Sequence, residues 1–272
     1  MDPGFQPSWI RHNKLMIHAV SALALLALLG WFCVEWRAGK VDEEMRAQLL
    51  RQVVRIAQAV NPELVKELSF TPADKGSRPY ERLREQMTAY GHLIWQRGIY
   101  SMTLRQGRLF FGPENYEEGD PMASPPGTLY ENPAPEAYEV FSRRKPVTIG
   151  PVTDEYGTFI TAFAPVLDPR TGDVLMVVGM DILADDWRAA VSAARLPPAA
   201  MTLFLALLVL GCAAGIYRRN NLPVECARPL RHMETAVVGV LGLALTVVTT
   251  LVVIETERGE EARVFVEFSD SK

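Results

Sequence analysis

Three stretches of this chain carry no charged side chain: residues 15–34, 196–217 and 235–254. Each is about 20 residues long, enough at about 1.5 Å per residue to cross the hydrocarbon core of a bilayer, about 30 Å thick. A charge at the centre of such a helix costs about 2.5–3.5 kcal/mol on insertion, and here Lys14, Glu35, Arg195, Arg218, Glu234 and Glu255 all stand outside the runs. Lipid offers the backbone no hydrogen-bond partners, so an apolar run of this length is expected to close on itself as a helix. The average composition, 49% hydrophobic and 22% charged with a net charge of -4, resembles that of a soluble domain only because the apolar residues are unevenly spread.

The first run exits through Trp31, Phe32, Cys33 and Trp36 rather than a small-x-small site, which favours an uncleaved anchor over a signal peptide. The short loop after the second run carries Arg218, Arg219, Arg228 and Arg231 against Glu225, whereas the tail opens with Glu255, Glu257, Glu260 and Glu261. The excess of arginine places that loop in the cytoplasm. The expected organisation follows: a cytoplasmic N-terminus at 1–14, transmembrane helix 1 at 15–36 and an extracytoplasmic domain at 37–195. Transmembrane helix 2 at 196–217, a cytoplasmic loop at 218–234, transmembrane helix 3 at 235–254 and an outside tail at 255–272 complete it. That is a multi-pass protein of the inner (plasma) membrane. The cysteines Cys33, Cys212 and Cys226 all fall outside the extracytoplasmic domain, which must therefore stand on its core without disulfides. At its length it can bury about 68–70% of its unfolded surface.

Within 37–195 the hydrophobic period changes twice. From 41 to 60, Val41, Met45, Leu49, Val53, Ile56, Ala57 and Val60 recur at helical spacing, with Glu43, Glu44, Arg46, Arg51 and Arg55 on the other face. This predicts a long helix directly following the first apolar run, broken at Asn61-Pro62, with a short helix to about Leu68. A polar loop at 71–77 and a helix at 79–96 come next. From Gly98 the period becomes two, with strands at 99–105 and 108–112 around Gln106-Gly107. Residues 113–135 are rich in proline and glycine and read as an ordered loop. A short helix at 136–141, strands at 146–152, 158–167 and 174–182, and a helix at 184–195 running on across Pro197-Pro198 complete the domain. The fold class is α+β: a five-stranded antiparallel sheet with a long N-terminal helix, beside the three transmembrane helices.

In its later strands the chain resembles the Cache family of extracytoplasmic, PAS-like sensor domains. The motifs are Val147-Thr-Ile-Gly-Pro-Val-Thr-Asp-Glu-Tyr-Gly157, Ala164-Pro165-Val166, Thr171-Gly172 and Val178-Gly-Met-Asp-Ile182, together with the insert Ser124-Pro-Pro-Gly-Thr-Leu-Tyr130. The resemblance covers most of 41–190. It implies a small-molecule pocket between the sheet and the insert, reporting to a cytoplasmic transmitter. The tail, with Ala262-Arg-Val-Phe-Val-Glu-Phe-Ser-Asp-Ser271, resembles the opening helix of a CHASE sensor domain, which implies that the chain is the front part of a longer receptor or a truncated product.

Catalytic chemistry has no foothold in the sequence. His12, His18, His92 and His232 are scattered without metal-ligand spacing, and no nucleophile elbow, phosphate loop, kinase or cyclase signature occurs. No metal, cofactor or nucleic-acid partner is expected. Asp181 stands out because it interrupts an apolar strand, where an ionised carboxylate needs a compensating partner. In the Cache resemblance it can face the pocket and take up a ligand amine; otherwise it caps the following helix or pairs with an arginine such as Arg188. Tyr100, Tyr130, Tyr156, Phe159 and Thr161 are candidates for lining a pocket, or for core packing. Arg105 and Arg108 flank the first hairpin as carboxylate binders or solvated turn residues. Gly211 and Gly215 form a small-xxx-small pair that lets helices approach closely, between copies of the chain or against the first span.

The expected function is non-catalytic: sensing of an amino acid, amine or carboxylate outside the cytoplasm, and signal input to a dimeric receptor of the histidine kinase or diguanylate cyclase kind. The alternative is a truncated membrane partner or assembly protein that binds no ligand directly.

Overall fold

The computed structural model describes residues 8–117, 119–221 and 239. Apart from Gly239, the expected third span, the tail and all but the start of the arginine-bearing loop lie outside the described residues. The chain divides into two units, residues 1–31 with 200–272 and residues 32–199.

Helix α1 (Ser8–Ala59) opens the chain. In its last turns Leu49, Val53, Ile56 and Ala57, followed by Val60, are buried at the three- and four-residue steps of the sequence pattern. Asn61 then caps α2 (Pro62–Lys66), its Oδ1 accepting the Glu63 N–H at 3.0 Å. The expected polar loop contains a short 3-10 turn, Pro72–Asp74. Asp74 is buried there and accepts the Ser69 and Phe70 N–H groups and the Ser69 hydroxyl, a closure that only its folded position reveals.

Helix α3 (Arg78–Gly91) buries Tyr80, Leu83 and Met87. It stops before Gln96, where the apolar period had predicted its end. The Arg97 N–H already pairs with the Asp181 carbonyl at 2.7 Å, so residues 92–96 must turn the chain from helix to strand. Leu93 is left exposed as a result.

The sheet comprises β1 (Gly98–Arg105), β2 (Arg108–Glu114), β3 (Val147–Thr153), β4 (Thr158–Leu167) and β5 (Val174–Leu183). All neighbours are antiparallel, in the order β2-β1-β5-β4-β3. Gln106 and Gly107 both have positive φ (50° and 76°), the two-residue turn that suits the twist of a hairpin. One face of the sheet, with Ile99, Ile160, Ala162, Met176, Val178 and Met180, packs on Leu49, Val53, Ile56, Leu83 and Met87. The other face, with Tyr100, Met102, Phe111, Phe163 and Val177, meets Ala137 and Val140 of α4 (Pro135–Arg143) and Tyr130 of the preceding loop.

Helix α5 (Ala184–Ala193) follows β5 and buries Trp187. It does not run unbroken through Pro197-Pro198: α6 (Leu196–Asn221) starts anew, with both prolines in its first turn, where a missing N–H costs nothing. Two described helices are long and apolar enough to cross a membrane, within 16–59 and 184–219. Gly30 and Thr202 lie so close that a Cβ on Gly30 would collide with the threonine side chain.

Candidate functional site

The cavity begins with two glycines in neighbouring strands. At Gly179 of β5 a Cβ would lie 2.5 Å from Cζ of Tyr100, so the missing side chain leaves the place where that ring rests. Gly98 of β1 likewise makes room for the hydroxyl end of Tyr116. These rings, with Phe111, Tyr130 and Tyr156, wall a cavity between the sheet and the 115–134 loop. Phe111 is the hub: ring centroids lie 4.9 Å from Tyr130, 5.7 Å from Tyr100 and 5.8 Å from Tyr156, the last two edge-on.

Three carboxylates share the cavity, Asp181, Glu114 and Asp154, with Ser124 and Met122 completing the wall. Asp181 is only 5% exposed. It accepts the Tyr100 hydroxyl at 3.3 Å and a hydrogen bond from Thr161, its register partner in β4. Burial pushes its carboxyl up to about 7, reinforced by the nearby Asp154 and opposed by those two hydrogen bonds. Glu114, at the end of β2, is also 5% exposed. Its Oε1 accepts the Ser124 N–H at 2.8 Å, and burial raises its carboxyl to about 8. Asp154 is the most fully engaged. Its Oδ2 accepts the Tyr130 hydroxyl at 2.6 Å, and its Oδ1 takes the N–H groups of Tyr156 (2.9 Å) and Gly157 (3.1 Å). Burial also pushes the Tyr100, Tyr116 and Tyr130 phenols well above their ordinary value, so they remain hydrogen-bond donors at any physiological pH.

Among the described residues, no lysine, arginine or histidine lines the cavity. The guanidiniums nearest the loop are engaged elsewhere. Arg97 pairs with Asp120 at 3.0 Å and stacks 5.3 Å from the centroid of Tyr116, and Arg84 donates to the Tyr116 carbonyl at 3.0 Å. The cavity is small, about 20 Å³. Since about 10–15 Å³ of such space holds one water, this conformation accommodates little more than solvent.

Four of the residues singled out from sequence thus meet at one cavity: Tyr100, Tyr130, Tyr156 and Asp181. Thr161 stands behind them as a partner of Asp181. Phe159 does not line the cavity and is fully buried in β4. Arg105 lies away from it, donating to the Ser69 carbonyl at 2.9 Å and stacking 4.5 Å over Phe110, and Arg108 does not line it either. The two alternative roles for Asp181 are not realised: Arg188 pairs with Asp185, and Leu183 occupies the N-cap of α5. Among the described residues, nothing lies within 4 Å of a Cβ placed on Gly211, and the close approach to Thr202 belongs to Gly30. Sequence reasoning missed Glu114, Tyr116, Ser124 and Asp154. For Glu114, Tyr116 and Ser124 the signal available was the crowding of polar and aromatic residues in 113–135, a stretch too long to be a mere connection; for Asp154, in the turn between β3 and β4, it was the Val147–Gly157 motif. Among the described residues, no group of three or more His, Cys, Asp or Glu side chains is placed to hold a metal ion.

No protein-family model and no curated protein matches this sequence. Among solved structures, the chain is similar to the ligand-binding domain of the Campylobacter jejuni chemoreceptor Tlp3 in complex with L-valine. The identity is 14% and the TM-score 0.40, over 69% of this chain and 68% of that one. The sensory domain of the same chemoreceptor with isoleucine bound matches at 14% identity and a TM-score of 0.38, over 69% and 68% of the two chains. A GAF domain/HD domain protein from Geobacter sulfurreducens matches at 14% identity and a TM-score of 0.27, over 50% of this chain and 96% of that one.

Proposed function

We propose that residues 37–195 form an extracytoplasmic sensor that binds a small organic molecule through a protonated amine, and that this chain is the input region of a dimeric transmembrane receptor. The observation that carries the reading is Asp181: a carboxylate buried to 5% exposure, facing an aromatic-walled cavity that supplies no cation of its own. An ammonium there would receive a charge-assisted hydrogen bond from Asp181 and lie against the faces of tyrosine rings, which attract cations. The cavity as it stands holds little more than solvent, so a ligand must select an opened state. Only a ligand that prefers one state can bias the other, and a closed cavity supplies that difference.

The rest of the reading is architectural. The apolar runs 15–34, 196–217 and 235–254 cross the inner membrane, with 37–195 and the CHASE-like tail outside. Output passes to a histidine kinase or diguanylate cyclase, and the chain itself performs no chemistry. Helices α1 and α5 flank the sensor sheet, and a ligand signal leaves through them.

A thermal-shift screen of the full chain in nanodiscs against amines, amino acids and carboxylates tests the proposal. A ligand at 100 times its dissociation constant stabilises the folded state by about 2.7 kcal/mol, a shift of several degrees. Amine-bearing compounds are expected to give that shift, and Asp181→Asn to remove it. Equal binding by a folded Asp181→Asn variant would sink the assignment. Silence from every compound would favour the assembly role without a ligand.

A further inference from the structure

We propose that Glu114 forms a second ammonium site in the same cavity, so that the ligand class is an aliphatic diamine rather than an α-amino acid. This rests on the reading of the cavity as an amine site.

The three carboxylates are not equivalent. Asp154 already accepts three hydrogen bonds, from the Tyr130 hydroxyl and from the Tyr156 and Gly157 N–H groups. Asp181 accepts two, and Glu114 accepts one, from Ser124, at Oε1. An ionised carboxylate offers about four acceptor positions, so Asp181 and Glu114 retain the capacity that Asp154 has largely used. They also stand apart. Glu114 is on β2 and Asp181 on β5, and these strands flank β1 on opposite sides. Glu114 pairs with Tyr100 and Asp181 with Gly98, two residues further along β1, so at about 4.8 Å per strand and about 3.4 Å per residue their backbones are about 12 Å apart, a span that the two side chains and a short methylene chain between two ammonium groups can bridge. The Tyr116 phenol, whose hydroxyl end rests at Gly98, lies within electrostatic reach of both carboxylates.

Charge balance selects the class. Two buried carboxylates ionise together only at high cost unless positive charge arrives with the ligand. A diamine brings one ammonium for each. An α-amino acid brings a carboxylate into a cavity with three of its own and, among the described residues, no lining cation; Arg97 is held by Asp120, and Arg84 donates to the Tyr116 carbonyl and offsets part of the Glu114 charge from outside the lining. Like-charge juxtaposition of that kind discriminates against a ligand. The tyrosine and phenylalanine walls suit the apolar chain between the two amines.

Calorimetric titration of the full chain in nanodiscs with 1,4-diaminobutane, n-butylamine and L-norvaline decides the matter. Diaminobutane is expected to bind about tenfold or more tighter than butylamine, the effect of one charge-assisted contact. Norvaline is expected to bind more weakly than either. Glu114→Gln keeps the oxygen that accepts the Ser124 N–H, and it should weaken diaminobutane about tenfold more than it weakens butylamine. The comparison among ligands uses the unaltered chain, so it stands even where the variant folds poorly. Butylamine binding as tightly as diaminobutane leaves the amine cavity intact and overturns the second site. Norvaline binding tightest, or Glu114→Gln weakening both amines alike, overturns it too. Binding of none of the three overturns the second site and the amine reading together.

Discussion

The indole Nε1 of Trp187 donates to Oδ1 of Asp42 at 2.7 Å, across 145 residues of sequence. Asp42 also accepts Nε of Arg46 at 2.8 Å, and the Arg46 guanidinium lies 5.6 Å from the Trp187 ring centroid while donating to the Gly150 carbonyl at 3.1 Å. One cluster thus joins α1, α5 and the outer strand β3. A hydrogen bond to a charged group contributes about 1.5–3 kcal/mol, and Trp187→Phe removes it while keeping most of the ring contact. Chemical denaturation of the variant is expected to show a loss of that size. A midpoint unchanged from the parent would mean that the bond adds nothing to stability.

The cavity carboxylates give the chain a defined pH response. In the folded state Asp181 titrates near 7 and Glu114 near 8, whereas in the unfolded chain both return to about 4. Between those values the folded chain retains protons that the unfolded chain has released, so stability falls as pH rises from about 5 to 8. A melting temperature that declines across this window is expected, with Glu114→Gln flattening part of the decline. Amine affinity should run the opposite way, rising as the carboxylates ionise. An affinity independent of pH between about 6 and 8 would rule out ionisation of these two groups as the source of binding.

Gly179 sets the position of Tyr100. A methyl group there, 2.5 Å from the ring carbon Cζ, forces the phenol off its seat and away from Asp181. Overpacking of this kind typically costs about 1–3 kcal/mol. Gly179→Ala should therefore destabilise the chain by that amount and also weaken amine binding. Lost stability with undiminished amine affinity would show that the Tyr100 hydroxyl has no part in the site.

Much of this fold was legible because its signals are local. Period-two alternation marked β1 and β2, Gln106-Gly107 marked their turn, and Asn61-Pro62 marked the end of α1. Asp181 was legible for a related reason: a single carboxylate in an apolar strand contradicts its surroundings. What sequence could not supply was pairing over distance. Ser124 meets the Tyr156 hydroxyl at 2.7 Å across 32 residues, and the Ser124 N–H meets Glu114, yet nothing near any of the three announces the contact. The end of α3 was misjudged because Ile94 continues the apolar period, whereas the Arg97 N–H is already committed to β5.

The last prediction concerns the two apolar helices. Gly30 is pressed against Thr202 within the chain, while no described residue comes within 4 Å of a Cβ placed on Gly211. A substitution at Gly30 therefore strains the chain's own packing, and one at Gly211 does not. Small residues in membrane helices let backbones approach closely, so an open glycine face suits a contact with a second copy. Gly211→Leu is expected to leave the melting temperature of the sensor unchanged and to lower the dimer fraction several-fold, read by energy transfer between labelled chains in nanodiscs. Gly30→Leu should lower stability whether or not the chains associate. If Gly211→Leu leaves the dimer fraction as it was, Gly211 takes no part in a contact between copies.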